Sequence, residues 1–310
     1  MPKSGVKKDL EQVFTKKSFA KINLYLEIVG RTNNGYHLLD SLMVMIDIFD
    51  LISIEKHHKL ELLVIGSESL QEDWQENIII KAVNLLAKKY HFAPNIKITL
   101  EKNIPIAAGL GGGSSNAATV LLMLNQFYDL NLSKAELLDL GLKLGADVPF
   151  FINGKNAFVS GIGEVLQDAD FNFKNIHLII INPRQALSTK QVYGLCVDNF
   201  VTETVLKSFD MANPLEYDKN LLPNMIDFIG HRRNDLQKPA IKIMPKISDI
   251  LQAIANQKNC LITRMSGSGA SCFGIFARDD LDFACSNLQR MFPSFYVKKV
   301  MINNLLTKLQ

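Results

Sequence analysis

The sequence predicts a protein of mixed α and β structure, long enough for two domains or one large α/β unit. Three observations carry this reading. The chain has 310 residues, against a usual single-domain length of roughly 100–200. Its hydrophobic content of 47% and charged content of 21% are those of a globular protein with a buried core, which excludes a disordered chain, a collagen-like repeat and a coiled coil. Stretches in which apolar residues recur at every second position alternate with stretches in which they recur at helical spacing.

The first element is a strand from Ser18. Ile22, Leu24, Leu26 and Ile28 face one way and Lys21, Asn23, Tyr25 and Glu27 the other, so it reads as half-buried with Lys21 and Asn23 on one face. After the turn Asn33-Asn34-Gly35, strand-like runs at 42–48, 51–54 and 60–65 are separated by charged breaks, which makes the first third rich in antiparallel strands. Ile79, Val83 and Leu86 place a helix over 77–90, and the alternation of Ile96, Ile98 and Leu100 places a strand ahead of Pro105. Residues 117–128 read as an apolar helix, and 133–144 as another, opened by the capping box Ser133-x-x-Glu136 and closed by Gly145. Further on, 176–181 reads as a buried strand, 189–197 and 239–255 as helical, and 261–276 as two strands around Ser266-Gly267-Ser268-Gly269. Helix 280–291 and strand 295–302 complete the chain. The softest boundary is the cluster of Gly and Asn at 154–163, which divides the chain into domains 1–160 and 161–310.

Charge and residue usage narrow the function classes. A net charge of +3, from 34 Lys and Arg against 31 Asp and Glu, is no nucleic-acid footprint. The longest apolar runs, such as 120–124, fall far short of the roughly 18 residues of a membrane span, so neither a membrane nor a nucleic acid is an expected partner. Cys196, Cys260, Cys272 and Cys285 form no C-x-x-C pair and read as buried thiols of a cytoplasmic protein; the six histidines show no metal-ligand spacing. Residues 1–17 carry five lysines without an apolar core, and read as a flexible, solvated arm rather than a signal peptide.

The chemistry concentrates at PIAAGLGGGSSNAA, residues 105–118. Four of its glycines fall within 109–113, where they let successive amide groups turn inward, and the helix starting near Asn116 presents its positive end. Together these predict an anion cradle for a phosphate. The stretch lacks the lysine of a Walker A loop, and Ser114 stands where G-x-G-x-x-G would need its last glycine. Asp147 follows a helix and precedes Val148-Pro149, which holds the exit chain extended; it is either a rigidly presented acid or the cap of a turn. Taken singly, Lys21 is a charge on a strand and 266–269 a tight turn.

Taken together, AKINLYL at 20–26, the glycine-rich stretch, GADVPFF at 145–151 and MSGSGASCFG at 265–274 resemble the motifs of the GHMP kinases, a superfamily of small-metabolite kinases, over residues 18–302. GRTNNGYHLLDSL at 30–42, INPRQALSTKQVY at 181–193 and NDLQKPA at 234–240 narrow the resemblance to members whose substrate is a cytidine diphosphate derivative of methylerythritol, on the non-mevalonate route to isoprenoids. The resemblance implies an α+β two-domain fold, with an N-terminal domain of the ribosomal-protein-S5 domain-2 type that binds ATP, a ferredoxin-like C-terminal domain that binds substrate, and the active site in the cleft between them. It implies ATP as phosphoryl donor with Mg²⁺, Asp147 as general base and Lys21 as its charged neighbour. The ATP phosphates would lie on Pro105, Ile106, Ala107, Ala108, Gly109, Leu110, Gly111, Gly112, Gly113, Ser114 and Ser115, the two serine hydroxyls being available to phosphate or Mg²⁺. Tyr36 and His37 would bind the cytosine with Tyr193 closing its other face, and Asn23 and Thr189 would make polar substrate contacts. Asn34 stands where relatives often carry Asp, Ala107-Ala108 replaces a more glycine-rich stretch, and the N-terminal arm is longer.

The alternative within the superfamily is a homoserine or mevalonate type of kinase, against which Gly35-Tyr36-His37 speaks, because those substrates carry no base to stack. A non-catalytic relative or an RNA-associated module of S5 type is the alternative outside it. The presence of Lys21 and Asp147, and the absence of a basic stripe, speak against both. The oligomeric state is not determined by the sequence.

Overall fold

Two long strands open the described part of the chain and form one wall of the site. A computed structural model describes residues 13–66, 74–169, 173, 176–196, 222–276 and 280–303. Strand β1 (Phe14–Arg31) pairs antiparallel with β2 (His37–Lys56) along its length, so β2 is one strand where separate runs are expected. The acidic breaks do not end it. The register shifts opposite Phe19/Ala20, absorbing Asp47 and Ile48, and Asp50 is taken inside with partners of its own. Residues 14–17 of the expected arm are the first residues of β1, paired with 51–54; residues 1–12 lie outside the described residues.

The other edge of β2 is shared. Its second half pairs with β4 (Ile96–Glu101) and its first half with β5 (Ala157–Gly161). Strand β3 (Glu61–Ile65) adds to β4 in parallel, and β6 (Val165–Asp168) adds to β5. This first sheet therefore runs on through Asp168, and a boundary at 160/161 would cut the β5–β6 hairpin. The second sheet is antiparallel in the order β10 (Tyr296–Met301), β7 (His177–Asn182), β9 (Cys272–Phe276), β8 (Cys260–Met265).

Helices cover the outer faces. On the first sheet lie α1 (Ile78–Tyr90), α2 (Gly112–Phe127), α3 (Lys134–Leu144) and α4 (Val148–Asn153). Helices α5 (Thr189–Gly194), α6 (Leu222–Gly230), α7 (Gln237–Ile243), α8 (Lys246–Ala255) and α9 (Leu281–Met291) belong to the second half; α5, α7, α8 and α9 pack on the second sheet's outer face. Met244 and Pro245 break the helix expected over 239–255 in two, because proline lacks the N–H that a continuous helix needs. The end of the helix expected over 189–197 falls beyond α5, with residue 197 outside the described residues. The capping box of α3 is present, Ser133 and Glu136 each closing on the other's backbone.

The inner faces of the two sheets meet in a core that joins Ile22, Leu24, Leu42 and Val44 to Leu178, Ile180, Phe273 and Ile275. This layering buries β1 on both faces. Lys21, Asn23 and Glu27 are as hidden as the leucines, in contrast to the half-buried strand expected. A bulge between Asn23 and Tyr25 changes the phase of the alternation: Tyr25 joins the inter-sheet core, while Leu26 comes round to the side of Lys21 and Asn23. Each fully buried Ile or Leu contributes about 1.5–3 kcal/mol through removal from water, so the layer between the sheets holds the halves of the site in register. Cys272 and Cys285 are buried, but Cys196 and Cys260 are only half-buried, and burial pushes the Cys260 thiol up to about 11.

Candidate active site

A cavity of about 680 Å³ opens between the glycine-rich stretch, strands β1 and β2, and the elements of the second half. Its floor is β1. Lys21, 4% exposed, donates from Nζ to Asn23 Oδ1 (2.7 Å), and Asn23 Nδ2 donates to Ser41 Oγ (2.8 Å) on β2. The same ammonium lies 3.2 Å from Asp147 Oδ2. The Lys21 amide also donates to the Leu110 carbonyl at 2.9 Å, tying the strand to the loop above it.

The glycine-rich stretch turns through left-handed residues at Ala107, Gly109 and Gly111 and then enters α2 at Gly112. The helix begins five residues before the predicted start, so Gly112, Gly113, Ser114 and Ser115 form its first turn. No side chain caps it, and its leading amides have no intrahelical acceptor. That is the electrostatic condition for holding a phosphate. Ser114 lines the cavity. Ser115 does not: its hydroxyl is buried and accepts from Ser18 at 2.7 Å, so of the two expected serine hydroxyls one faces the protein interior.

Asp147 is the N-cap residue of α4, with Pro149 in its first turn, so the chain beyond it is helical rather than extended. Its carboxylate makes no capping bond, and with 38% of the side chain exposed it reaches Lys21 on one side and solvent on the other. An acid held by a rigid backbone and free of capping duty can accept a proton from a bound hydroxyl.

From the second half come Thr189, at the start of α5, whose hydroxyl is 2.8 Å from that of Ser268, and Tyr193. Burial, and the nearby Asp147 charge, hold the Tyr193 phenol well above its ordinary value, so it stays neutral. Its ring packs on His37, centroids 5.1 Å apart. Tyr36 stands outside on the 32–36 turn, 61% exposed, and among the described residues it makes no ring contact with Tyr193; neither Tyr36 nor His37 lines the cavity. The structure thus gathers Lys21, Asn23, residues 105–114, Asp147, Thr189 and Tyr193 around one space, and leaves Tyr36, His37 and Ser115 off its walls.

Gly267 and Ser268, from the motif at 265–274, join the wall, while Asn77, Lys102 and Ser41 are wall residues to which a reading of the sequence assigns no role. Lys102 Nζ is 2.6 Å from Asp50, a fully buried carboxylate that also accepts from the amides of Asn103 (2.7 Å) and Ile104 (2.9 Å) and from Asn116 Nδ2 (3.0 Å). The lysine's closeness in sequence to the glycines is its one signal. Its partner lies on another strand.

Family models match both halves of the chain: the GHMP kinases N terminal domain over residues 77–155 and the GHMP kinases C terminal domain over 218–294. Two sheets with outer helices and a glycine-rich helix start between them define a GHMP kinase of the expected two-domain α+β fold. A crystal structure of homoserine kinase from Cytophaga hutchinsonii superposes with a TM-score of 0.72 over 96% of this chain and 97% of that one, at 16% identity, which is a likeness of fold alone. The 4-diphosphocytidyl-2-C-methyl-D-erythritol kinase of Rhodospirillum rubrum is 37% identical over 279 residues, 89% of this chain and 88% of that protein. A crystal structure of 4-(cytidine 5'-diphospho)-2C-methyl-D-erythritol kinase matches with a TM-score of 0.71 and 26% identity over 94% of this chain and all of that one. The chain belongs to the 4-diphosphocytidyl-2-C-methyl-D-erythritol kinase family. Among the described residues no helix is long and apolar enough to cross a membrane.

Proposed function

We propose that the protein transfers the γ-phosphoryl group of ATP to the 2-hydroxyl of 4-diphosphocytidyl-2-C-methyl-D-erythritol, releasing ADP and the 2-phosphate. The observation that carries the reading is the Lys21–Asp147 pair, 3.2 Å apart, sharing one cavity with the uncapped start of α2.

The α2 amides and Ser114 receive phosphate oxygens of the nucleotide, placing the γ-phosphoryl group beside Lys21. The substrate oxygen forms a bond to phosphorus as the bond to the β–γ bridging oxygen breaks; Asp147 takes the hydroxyl proton, and Lys21 offsets charge on the transferring oxygens. Asn23 holds the ammonium from below and is itself held by Ser41. Tyr193 offers an aromatic face to the cytosine and Thr189 a hydroxyl to the substrate.

Mg²⁺ suits this donor set. Among the described residues no three Asp, Glu, His or Cys side chains gather to cage a cation, and the oxygens on the cavity wall include those of Asp147, Glu76 and Ser114. An ion that keeps several waters and binds mainly through nucleotide phosphates needs no more than one or two protein oxygens. When bound it neutralises phosphate charge.

Coupled ADP release with purified protein, ATP and Mg²⁺ tests the assignment. Turnover is expected with 4-diphosphocytidyl-2-C-methyl-D-erythritol and not with homoserine or mevalonate; equal turnover with either of the latter would overturn it.

A further inference from the structure

The segment Asn234-Asp235-Leu236-Gln237 stands out in the sequence, yet none of its side chains lines the cavity. Its contacts show what it holds instead. Asn234 Nδ2 donates to the carbonyls of Met265 (2.7 Å) and Gly267 (2.8 Å), while Oδ1 accepts from the Leu236 amide (2.9 Å). Gln237 Oε1 accepts from the Met265 amide at 3.0 Å. On its other side the segment adds to β1. The Leu26 amide donates to the Arg233 carbonyl and the Asp235 amide to the Leu26 carbonyl, both at 2.9 Å, and Asp235 Oδ2 accepts from the Ile28 amide at 2.8 Å. One short stretch is thereby tied both to the strand carrying Lys21 and to the turn between β8 and β9.

That turn backs directly onto the reacting groups. Gly267 is left-handed, and a methyl group on it would lie 3.4 Å from Asn23 Oδ1 and 3.6 Å from Lys21 Nζ. Ser266, fully buried, donates from Oγ to the Gly109 carbonyl (3.2 Å) and accepts from the Asn23 amide (3.3 Å). The approach between turn and loop leaves no space, since a methyl group on Gly109 would sit 2.6 Å from the Ser266 carbonyl oxygen and 2.7 Å from that of Gly269.

We propose that Asn234 is a positioning residue for phosphoryl transfer: by fixing the carbonyls of Met265 and Gly267 it sets the 266–269 turn, and the turn, through Gly267 and Ser266, sets the Lys21–Asn23 pair. The inference rests on the kinase reading of the cavity. Buried carbonyls keep a single arrangement only while their donors are present, and a shift of about 1 Å in a reacting group costs up to about 100-fold in rate.

The test uses the full chain with Asn234→Ala and Ser266→Ala, each alone and combined with Lys21→Met, and measures steady-state ADP release and thermal unfolding. Each single variant is expected to lower kcat about 10- to 100-fold, with KM for both substrates within about threefold of wild type. In the Lys21→Met background the same substitutions are expected to cost less than about threefold more, because the group they position is already gone. A lowered unfolding temperature with unchanged kcat, or full additivity with Lys21→Met, overturns the positioning role. If Asn234→Ala does not fold, the Ser266→Ala pair decides by the same two criteria. Absence of turnover by the wild type with the cytidyl substrate is a separate result that strikes the functional reading itself and withdraws the positioning role with it.

Discussion

The ammonium of Lys102 lies 2.6 Å from the carboxylate of Asp50, and both are buried, Lys102 on the wall of the cavity and Asp50 behind it. Asp50 ties three parts of the cavity's surroundings together: the strand β2 that bears it, the chain entering the glycine-rich stretch at Asn103 and Ile104, and α2 through Asn116. Removing one partner of such a pair leaves an uncompensated buried charge, which typically costs about 3–5 kcal/mol, whereas replacing both by apolar groups is often neutral. Asp50→Ala is therefore expected to destabilise the protein by that amount in urea unfolding, and Asp50→Leu with Lys102→Met to recover only part of the loss, because the Asn103 and Ile104 amides and Asn116 Nδ2 still lack their acceptor. An Asp50→Ala variant within about 1 kcal/mol of wild type would show that the pair is not what holds this corner.

The roles of Asp147 and Lys21 separate in kinetics. Asp147→Asn keeps the shape but cannot take a proton, and is expected to lower kcat by about 10² to 10⁴ while KM for both substrates changes little. Lys21→Met is expected to lower kcat as well, through lost charge at the transferring oxygens. A kcat for Asp147→Asn near the wild-type value at saturating substrates removes it as the base.

Tyr193 is the ring proposed to stack the cytosine, and it packs on His37 rather than Tyr36. Stacking of a base on an aromatic ring is worth about 1–3 kcal/mol, so Tyr193→Ala is expected to raise KM for the cytidyl substrate about 5- to 150-fold and to leave KM for ATP alone. Tyr36→Ala, altering an exposed ring off the cavity wall, is expected to have the smaller effect. A rise in KM for ATP instead would put the base elsewhere.

The capping box of α3 gives a stability prediction with a definite pH dependence. Ser133→Ala is expected to cost about 1 kcal/mol in denaturant unfolding. The backbone and hydroxyl of Ser133 hold the Glu136 carboxyl below its ordinary value. A carboxylate with a depressed folded-state pKa stabilises above its unfolded value and loses that contribution as pH falls through the folded one. The difference between wild type and Glu136→Gln should therefore be full at neutral pH and shrink once the pH drops below the ordinary glutamate range. A difference that grows on acidification would contradict this sign.

Much of the fold follows from neighbours along the chain. The capping box, the helix over α1 and the alternation of β4 act within a few residues, so local pattern placed them; the glycine-rich entry to α2 was legible too, although the helix starts five residues earlier than its apolar pattern indicates, and the motif set pointed to Lys21, Asp147 and the cradle as one site. Other features depend on partners far along the chain. That β1 is buried on both faces, and that a bulge brings Leu26 rather than Tyr25 beside Asn23, depends on the second sheet packing beneath the first. That Asp147 begins a helix and still meets Lys21, that Ser115 turns inward to Ser18, and that Asn234 holds the turn behind Lys21 were decided by register and packing. The physical reason is range: dihedral preference, capping and periodicity are set by adjacent residues, while hydrogen bonds between strands and turns remote in sequence exist only once the layers have closed.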